Sequence, residues 1–573
     1  MSKLFDFSGR IADYKMAEFI KKNFGFSMKN IPTPSNDSYL KQLIHRVEDL
    51  ITRMRWKAIF FLKKEEEKDN EESESEEGED DVKRRTYGFR STRVPERVNE
   101  MEEFEKDVWD MVEQCKFKDK GSESAFQKKM KNEIKEINKS DKLLIPADKT
   151  SNMYQVRTQT YNKLLKDNTT RAYKKVDRKE IENINKEAKK IAHDLKIGDR
   201  VEKMPEKDAF ITLKDHKQNF MNDTKCRLIN PTKSEIGKVS NIILQEINQK
   251  IREKTGLQQW RSTKEAIEWF KNIDNKEKME FIQCDIEDFY PSISEQCLLR
   301  CITFAEKYTI VPDIAKKAIL NARKTVLVNG EDVWQKKDSL FDVAMGAFDG
   351  AEVAELVGLK LLAEIKQKVP ELNFGLYRDD GLATIKTGRG CKIENAKKKL
   401  IQIFKNEGLK ITIETRLHRV NFLDVTLDLQ EKAYKPFKKP GDKTMYIHTE
   451  SNHPPQTKKA IPKMVEKRLA SISSNKDIFD EGKKDYEEAL RESGYKEKLS
   501  YEKGKNNLSE KDKNKDKKKK KNRKRKEIYF NPPWNDNLNT NIGGLFLKIV
   551  DKHFGSKRKD NLNKIFNRKK YSK

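Results

Sequence analysis

Three carboxylates stand where strand-like runs end. Asp285 closes Phe281-Ile282-Gln283-Cys284-Asp285, and Asp379 and Asp380 close Tyr377-Arg378-Asp379-Asp380. Side by side in a sheet, such carboxylates repel unless divalent cations hold them. Two Mg²⁺ ions bridged by aspartates, with Mn²⁺ as a substitute, suit nucleotidyl transfer. One ion activates an attacking 3′-hydroxyl and the other takes charge on the leaving pyrophosphate. The expected ligands are Asp285, Asp379 and Asp380, with a backbone carbonyl from Ile286. Tyr290, five residues after Asp285, can stack under an incoming sugar and exclude a 2′-hydroxyl, which would select deoxynucleotides. Glu287 and Asp288 read as solvent-facing turn carboxylates.

The elements that position these groups follow from the flanking pattern. Gly375 to Ala383 reads as a β-hairpin with its carboxylates at the tip, and Asp380-Gly381 is the tight-turn signal because glycine accepts positive φ. A lone YxDD tetrapeptide also arises by chance, so the weight comes from its pairing with the Asp285 strand. Gly346 precedes a helix over 351–367 and lets backbone approach template and nucleotide closely. Lys214, Lys217 and Arg227 flank a hairpin whose cations can clamp a triphosphate, Arg227 foremost because guanidinium matches phosphate geometry. Lys410, after Glu407-Gly408-Leu409, is a candidate to protonate the pyrophosphate.

Composition sets the class. The chain has 573 residues, 122 Lys plus Arg against 94 Asp plus Glu, and a net charge of +28. That length suits roughly three to four domains. The charge favours a polyanionic partner, and with the acidic cluster it reads as a nucleic-acid polymerase. Six cysteines include no CxxC pair, and Cys297 and Cys301 fall at helical i,i+4 spacing, so neither a zinc site nor a disulfide frame is expected. No run approaches the ~20 apolar residues of a membrane span, and the N-terminus lacks the apolar run of a signal peptide. An intracellular protein, nuclear or cytoplasmic, is expected.

Periodicity divides the chain into segments. Residues 1–64 read as helical, 65–82 as an acidic disordered linker, and 83–142 as a further helical extension. Short strands near 144–146, 209–213 and 227–229, with helices at 238–252 and 263–272, fill 143–272. From 273 to 430 strands alternate with helices: strands at 281–286, 373–378, 382–386, 409–414 and 421–428, and helices after Ser294, at 351–367 and at 392–407. The class is α/β (α+β), helices packed on a sheet. Residues 431–501 are helical, 502–527 a basic low-complexity linker, and 528–573 a short ordered module. Within the linker, Lys517 to Lys526 is basic at every position except Asn522 and suits nuclear import or phosphate binding, or a solvated tail.

The order of these pieces resembles a reverse transcriptase, and the closest resemblance is to the reverse transcriptases of Penelope-like retroelements, which are telomerase-related. It is carried by Ala147-Asp148-Lys149-Thr150, Lys214-Asp215-His216-Lys217, Arg227-Leu228-Ile229-Asn230-Pro231, Asp349-Gly350-Ala351-Glu352 and Phe422-Leu423-Asp424. Beyond these come Ser451-Asn452-His453-Pro454-Pro455, Ser493-Gly494-Tyr495, Phe530-Asn531-Pro532-Pro533 and Thr540-Asn541-Ile542-Gly543. The resemblance spans about residues 100 to 568. It implies a right-hand polymerase with fingers over 143–272, palm over 273–430 and helical thumb over 431–501, behind a helical N-terminal extension. It implies catalytic roles for Asp285, Asp379 and Asp380, a gate at Tyr290, and a primer grip at Phe422, Leu423 and Asp424. The implied partners are an RNA template, a DNA primer or RNA–DNA duplex, and dNTPs; oligomeric state is left open. Many members continue into a GIY-YIG endonuclease, and none is expected here.

Three other readings stay open. An RNA-dependent RNA polymerase shares the metal chemistry, although Tyr290 argues against admitting a 2′-hydroxyl. A decayed or domesticated copy would bind nucleic acid without catalysis. A scaffold would recruit partners through residues 65–81 and 502–527.

Overall fold

In the computed structural model, residues 4–6, 30–69, 87, 89, 93–118, 123–139, 141–148, 150, 152–215, 220, 223–344, 346–388, 390–439, 444–501, 528–555 and 561–566 are described. Lys217, the linker at 502–527 and most of 65–82 lie outside them. The helix Asn36–Asp69 does continue into the acidic run expected to be linker.

The centre is a four-stranded antiparallel sheet in the order Asn373–Tyr377, Asp380–Lys386, Met279–Ile286, Ile411–Leu417. Alternation decides its two faces. Ile282 and Ile286 join one large core with Ala383 and Ile385. That core is closed by helices Ile236–Thr255, Glu295–Glu306, Gly350–Lys368 and Gly390–Asn406. Gly350–Lys368 is apolar on most of its circumference, burying Val353, Leu356, Val357, Leu359, Leu361 and Ile365, as a helix enclosed by neighbours must. Phe281 and Leu382, pointing the other way, pack with Phe270, Phe422 and Leu427 in a smaller core.

The boundaries of the central elements fall within a few residues of the expected ones. The segment expected as one strand over 421–428 is two, Arg419–Phe422 and Val425–Asp428, because Leu423 takes φ +55° and turns the chain between them. A third strand, Ala433–Pro436, completes that sheet.

Before the centre, a two-stranded sheet, Phe210–Leu213 with Cys226–Ile229, lies through an Ala147–Leu213 bridge beside a three-stranded one of Lys142–Pro146, Met153–Arg157 and Leu4–Asp6, the last a strand where helix was expected because it pairs with a distant segment. Helices Thr158–Ala172 and Lys179–Asp194 and the sheet of Tyr173–Val176, Asp332–Lys336 and Leu327–Asn329 have no counterpart in the sequence reading.

After it, Pro455–Ser471 and Lys476–Glu492 form a helical pair. The chain's two end regions then meet. Helices Asn36–Asp69, Glu102–Glu113 and Ile542–Phe554 share one core, in which Phe104 lies 5.0 Å from Phe554 ring to ring. Ser451 and Asn452 fasten this unit to the helical pair. Ser451 Oγ accepts from Ile31 N (2.8 Å), and Asn452 Oδ1 accepts from Asp536 N (2.9 Å) while its Nδ2 donates to Trp534 O (3.1 Å).

Candidate active site

The sheet register brings the carboxylates together. Asp380 is the direct Cα partner of Asp285, and Thr412 partners Asp285 from the other side. Directly opposed residues point to the same face, with Cβ atoms about 5 Å apart. Asp285 is exposed, and Asp379 and Asp380 are half-buried. Asp379 lies in the turn, where its carbonyl accepts from Ile286 N at 3.0 Å, so the two carboxylate-bearing segments are tied by their backbones.

The hairpin turns two residues earlier than its Asp-Gly pair suggests. Arg378 and Asp379 form the loop, and Arg378, with φ +56°, takes the left-handed conformation. That conformation is costly for a residue with a side chain. Its guanidinium compensates by donating from Nη1 to Ala351 O at 2.6 Å, fixing the hairpin to the start of helix Gly350–Lys368. Gly381 instead lies inside the strand opposite Cys284, where a Cβ would run into the Cys284 sulfur. Glycine is needed there for close approach. Burial pushes the Cys284 thiol up to about 12, with Asp285 and Asp380 adding to the effect.

Tyr290 sits on the short helix Phe289–Ser292, entered through Asp288 at φ +45°. Its ring packs where a Gly350 side chain would begin, its Cε1 3.5 Å from that position. Burial raises its phenol most, while Arg378 lowers it and Asp379 raises it further.

The remaining candidates are placed as follows. Gly346, at φ +96°, adopts a conformation that favours glycine and faces the Lys233 side chain, whose ammonium lies 5.3 Å from the centre of the Phe348 ring. Lys214 follows strand Phe210–Leu213 and donates its N–H to Lys225 O (2.8 Å). Arg227 Nη1 is 2.9 Å from Asp148 Oδ1, so its charge is met within the protein. Lys410 Nζ pairs with Glu287 Oε2 at 2.7 Å, while Glu287 N donates to Lys410 O at 2.9 Å. Glu287 is therefore a partner of Lys410 rather than a lone turn carboxylate. Phe422 is buried against Trp260, centroids 5.4 Å apart. Leu423 forms the turn. Asp424 accepts from Thr263 Oγ1 and pairs with Arg468 of the helix Pro455–Ser471.

The sequence named Asp349 but not its partner. Arg323 and Asp349, 1% and 0% exposed, form a buried ion pair that anchors the Ala344–Gly350 loop. Nothing local marks the pairing, because a charge in a loop reads as solvated until its partner is known.

Hard carboxylate oxygens on an open sheet face suit Mg²⁺. The oxygens of Asp285, Asp379 and Asp380 do not all lie within 4.8 Å of one another. The buried trio Cys297, Cys301 and Glu407 has tighter spacing, but Lys360 and Arg300 already hold its carboxylate.

A family model described as an animal helix-turn-helix domain matches residues 445–503, the stretch containing helices Pro455–Ser471 and Lys476–Glu492. No curated protein matches the chain. Among solved structures, Candida albicans telomerase in complex with a TWJ fragment of telomeric RNA is similar at 10% identity, covering 77% of this chain and 75% of that one, with a TM-score of 0.43. Apo telomerase from Candida tropicalis is similar at 12% identity, covering 84% and 88%, TM-score 0.39. The BmCPV RNA-dependent RNA polymerase at elongation state is similar at 11% identity, covering 55% and 30%, TM-score 0.33. Likenesses this distant do not tell what this chain does.

Proposed function

We propose that this chain is an RNA-directed DNA polymerase, extending a primer 3′-hydroxyl with dNTPs on an RNA template. The observation that carries the reading is the register pair Asp285–Asp380 with Asp379 in the adjoining turn, and Tyr290 packed at Gly350 beside the helix start to which the hairpin is bonded. Asp285, Asp379 and Asp380 would hold two Mg²⁺ ions, which when bound activate the hydroxyl and take up charge on the pyrophosphate. The backbone bond between Ile286 and Asp379 fixes the spacing of the carboxylates before substrate arrives. Tyr290 forms the floor under the sugar and disfavours a 2′-hydroxyl. Lys410, mostly exposed and held by Glu287, is the nearby cation for the leaving group.

In this reading residues 143–272 are fingers, 273–430 the palm and 431–501 the thumb. Asp424, through Arg468, joins the primer-grip turn to the thumb. The resemblance to Penelope-like reverse transcriptases supports origin in a mobile element. The net charge of +28 supports a duplex held mainly through its phosphates.

The test is extension of a primed RNA template with dNTPs and, separately, with rNTPs. Extension with dNTPs alone supports the reading. Efficient use of rNTPs would make the chain an RNA polymerase, and duplex binding without extension would make it a binding protein.

A further inference from the structure

The carbonyl next to the gate is held by a lysine from a distant strand. Pro291 O, one residue after Tyr290, accepts from Lys336 Nζ at 2.8 Å. Lys336 ends strand Asp332–Lys336, and its direct partner across the sheet is Tyr173. Both side chains converge on one carboxylate. Tyr173 OH donates to Asp342 Oδ2 at 2.9 Å, and Lys336 Nζ lies 3.5 Å from Asp342 Oδ1. Asp342 is 4% exposed, and its N–H donates to the carbonyl of the buried Arg323 (2.9 Å). The chain of contacts therefore runs from the buried Asp342, through a charged ammonium, to the backbone that carries Tyr290.

Hydrogen bonds from charged donors are the stronger kind, and a buried carboxylate without its partner is costly. The one Lys336 ammonium is thus held by Asp342 and in turn holds the Pro291 carbonyl. A gate that rejects a single hydroxyl works by position, so a shift of the Phe289–Ser292 turn would open room for that hydroxyl.

We propose that Lys336 is a positioning residue that sets discrimination between deoxyribonucleotides and ribonucleotides by holding the Tyr290 turn. This rests on the polymerase reading and on Tyr290 as the sugar gate. The Lys336 ammonium bonds Pro291 and Asp342, so the role assigned to it is one of position.

The test compares kcat/KM for dNTP and for the matching rNTP in wild type, Lys336→Met, Lys336→Arg and Tyr290→Ala, each checked for an unchanged thermal midpoint. Lys336→Met is expected to lower the dNTP-over-rNTP ratio roughly ten-fold, the low end of what a pocket contact confers. The loss should come mainly from better rNTP use, with kcat for dNTP within about two-fold of wild type, and Lys336→Arg should recover most of the ratio. If Lys336→Met lowers the midpoint, Asp342→Asn takes its place, because it removes the charge that holds Lys336 with little change in shape. A ratio that falls in Tyr290→Ala but not in the Lys336 or Asp342 variant overturns the proposal and leaves the gate standing. A ratio unchanged in Tyr290→Ala overturns both. A wild-type chain that extends no primer overturns the polymerase reading and this proposal with it.

Discussion

Asp285 and Asp380 are Cα partners in the antiparallel ladder between strands Met279–Ile286 and Asp380–Lys386. Two carboxylates opposed on one sheet face repel each other, and a cation between them would relieve that repulsion. The neighbouring turn is fixed by a 3.0 Å bond between Ile286 N and Asp379 O, and in the polymerase reading proposed above these carboxylates would hold the cations.

The glycine after the carboxylates is a packing requirement. Gly381→Ala should destabilise by roughly 1–3 kcal/mol, the usual cost of overpacking, because the added methyl meets Cys284 and Phe374. Urea denaturation measures the loss. Combining it with Cys284→Ala should recover part of the loss, and equal losses in both backgrounds would remove the steric explanation.

The buried pair Arg323–Asp349 should be more damaging to break than to replace. Asp349→Ala takes the ion-pair partner from a buried guanidinium and is expected to cost about 3–5 kcal/mol. The double change Arg323→Met with Asp349→Leu should cost clearly less. A double variant no better than Asp349→Ala would contradict the pairing.

Acid should loosen the unit built from the two chain ends. Hydrogen bonding by Lys552 and then His553 holds the Asp107 carboxyl below its usual range. A carboxyl whose folded value is lowered contributes stability above its unfolded value of about 3.9, and the contribution is lost as pH falls through the lowered folded value. Asp107→Asn should therefore be less stable at neutral pH and lose less on acidification. Thermal midpoints followed from pH 6 downward check this, and parallel curves for the two proteins would exclude Asp107 as a source.

Nucleic-acid affinity should fall steeply with salt. For a duplex held through phosphates, log K falls against log salt with a slope of roughly −0.9 for each phosphate neutralised on B-DNA. Fluorescence anisotropy with an RNA–DNA duplex between low and physiological salt gives the slope. A flat response would mean that the basic residues are not the contact.

Much of the site was legible because local pattern decides it. Asp285 and Asp379 end runs whose alternation or apolarity marks strands, and Gly350–Lys368 announces itself by its continuous apolar face. The turn position was not legible. Asp380-Gly381 is the better turn dipeptide, yet the contact between Gly381 and Cys284 draws the glycine into the strand and leaves Arg378 to take positive φ. Pairings between distant segments, such as Glu287 with Lys410 or Lys336 with Pro291, leave no trace at either residue. The same holds for the core shared by Phe104 and Phe554, since either helix alone shows only that it has an apolar face.

The most direct measurement is primer extension on an RNA template with Mg²⁺ and dNTPs, run on wild type, Asp285→Asn and Asp379→Asn, with duplex affinity measured on the same samples. A two-metal site at these carboxylates predicts extension by wild type and a loss of roughly 10²-fold or more in each variant, as for a transition-state contact worth about 3 kcal/mol or more, with duplex affinity within a few-fold of wild type. Extension by Asp379→Asn at the wild-type rate would contradict the assignment of the site.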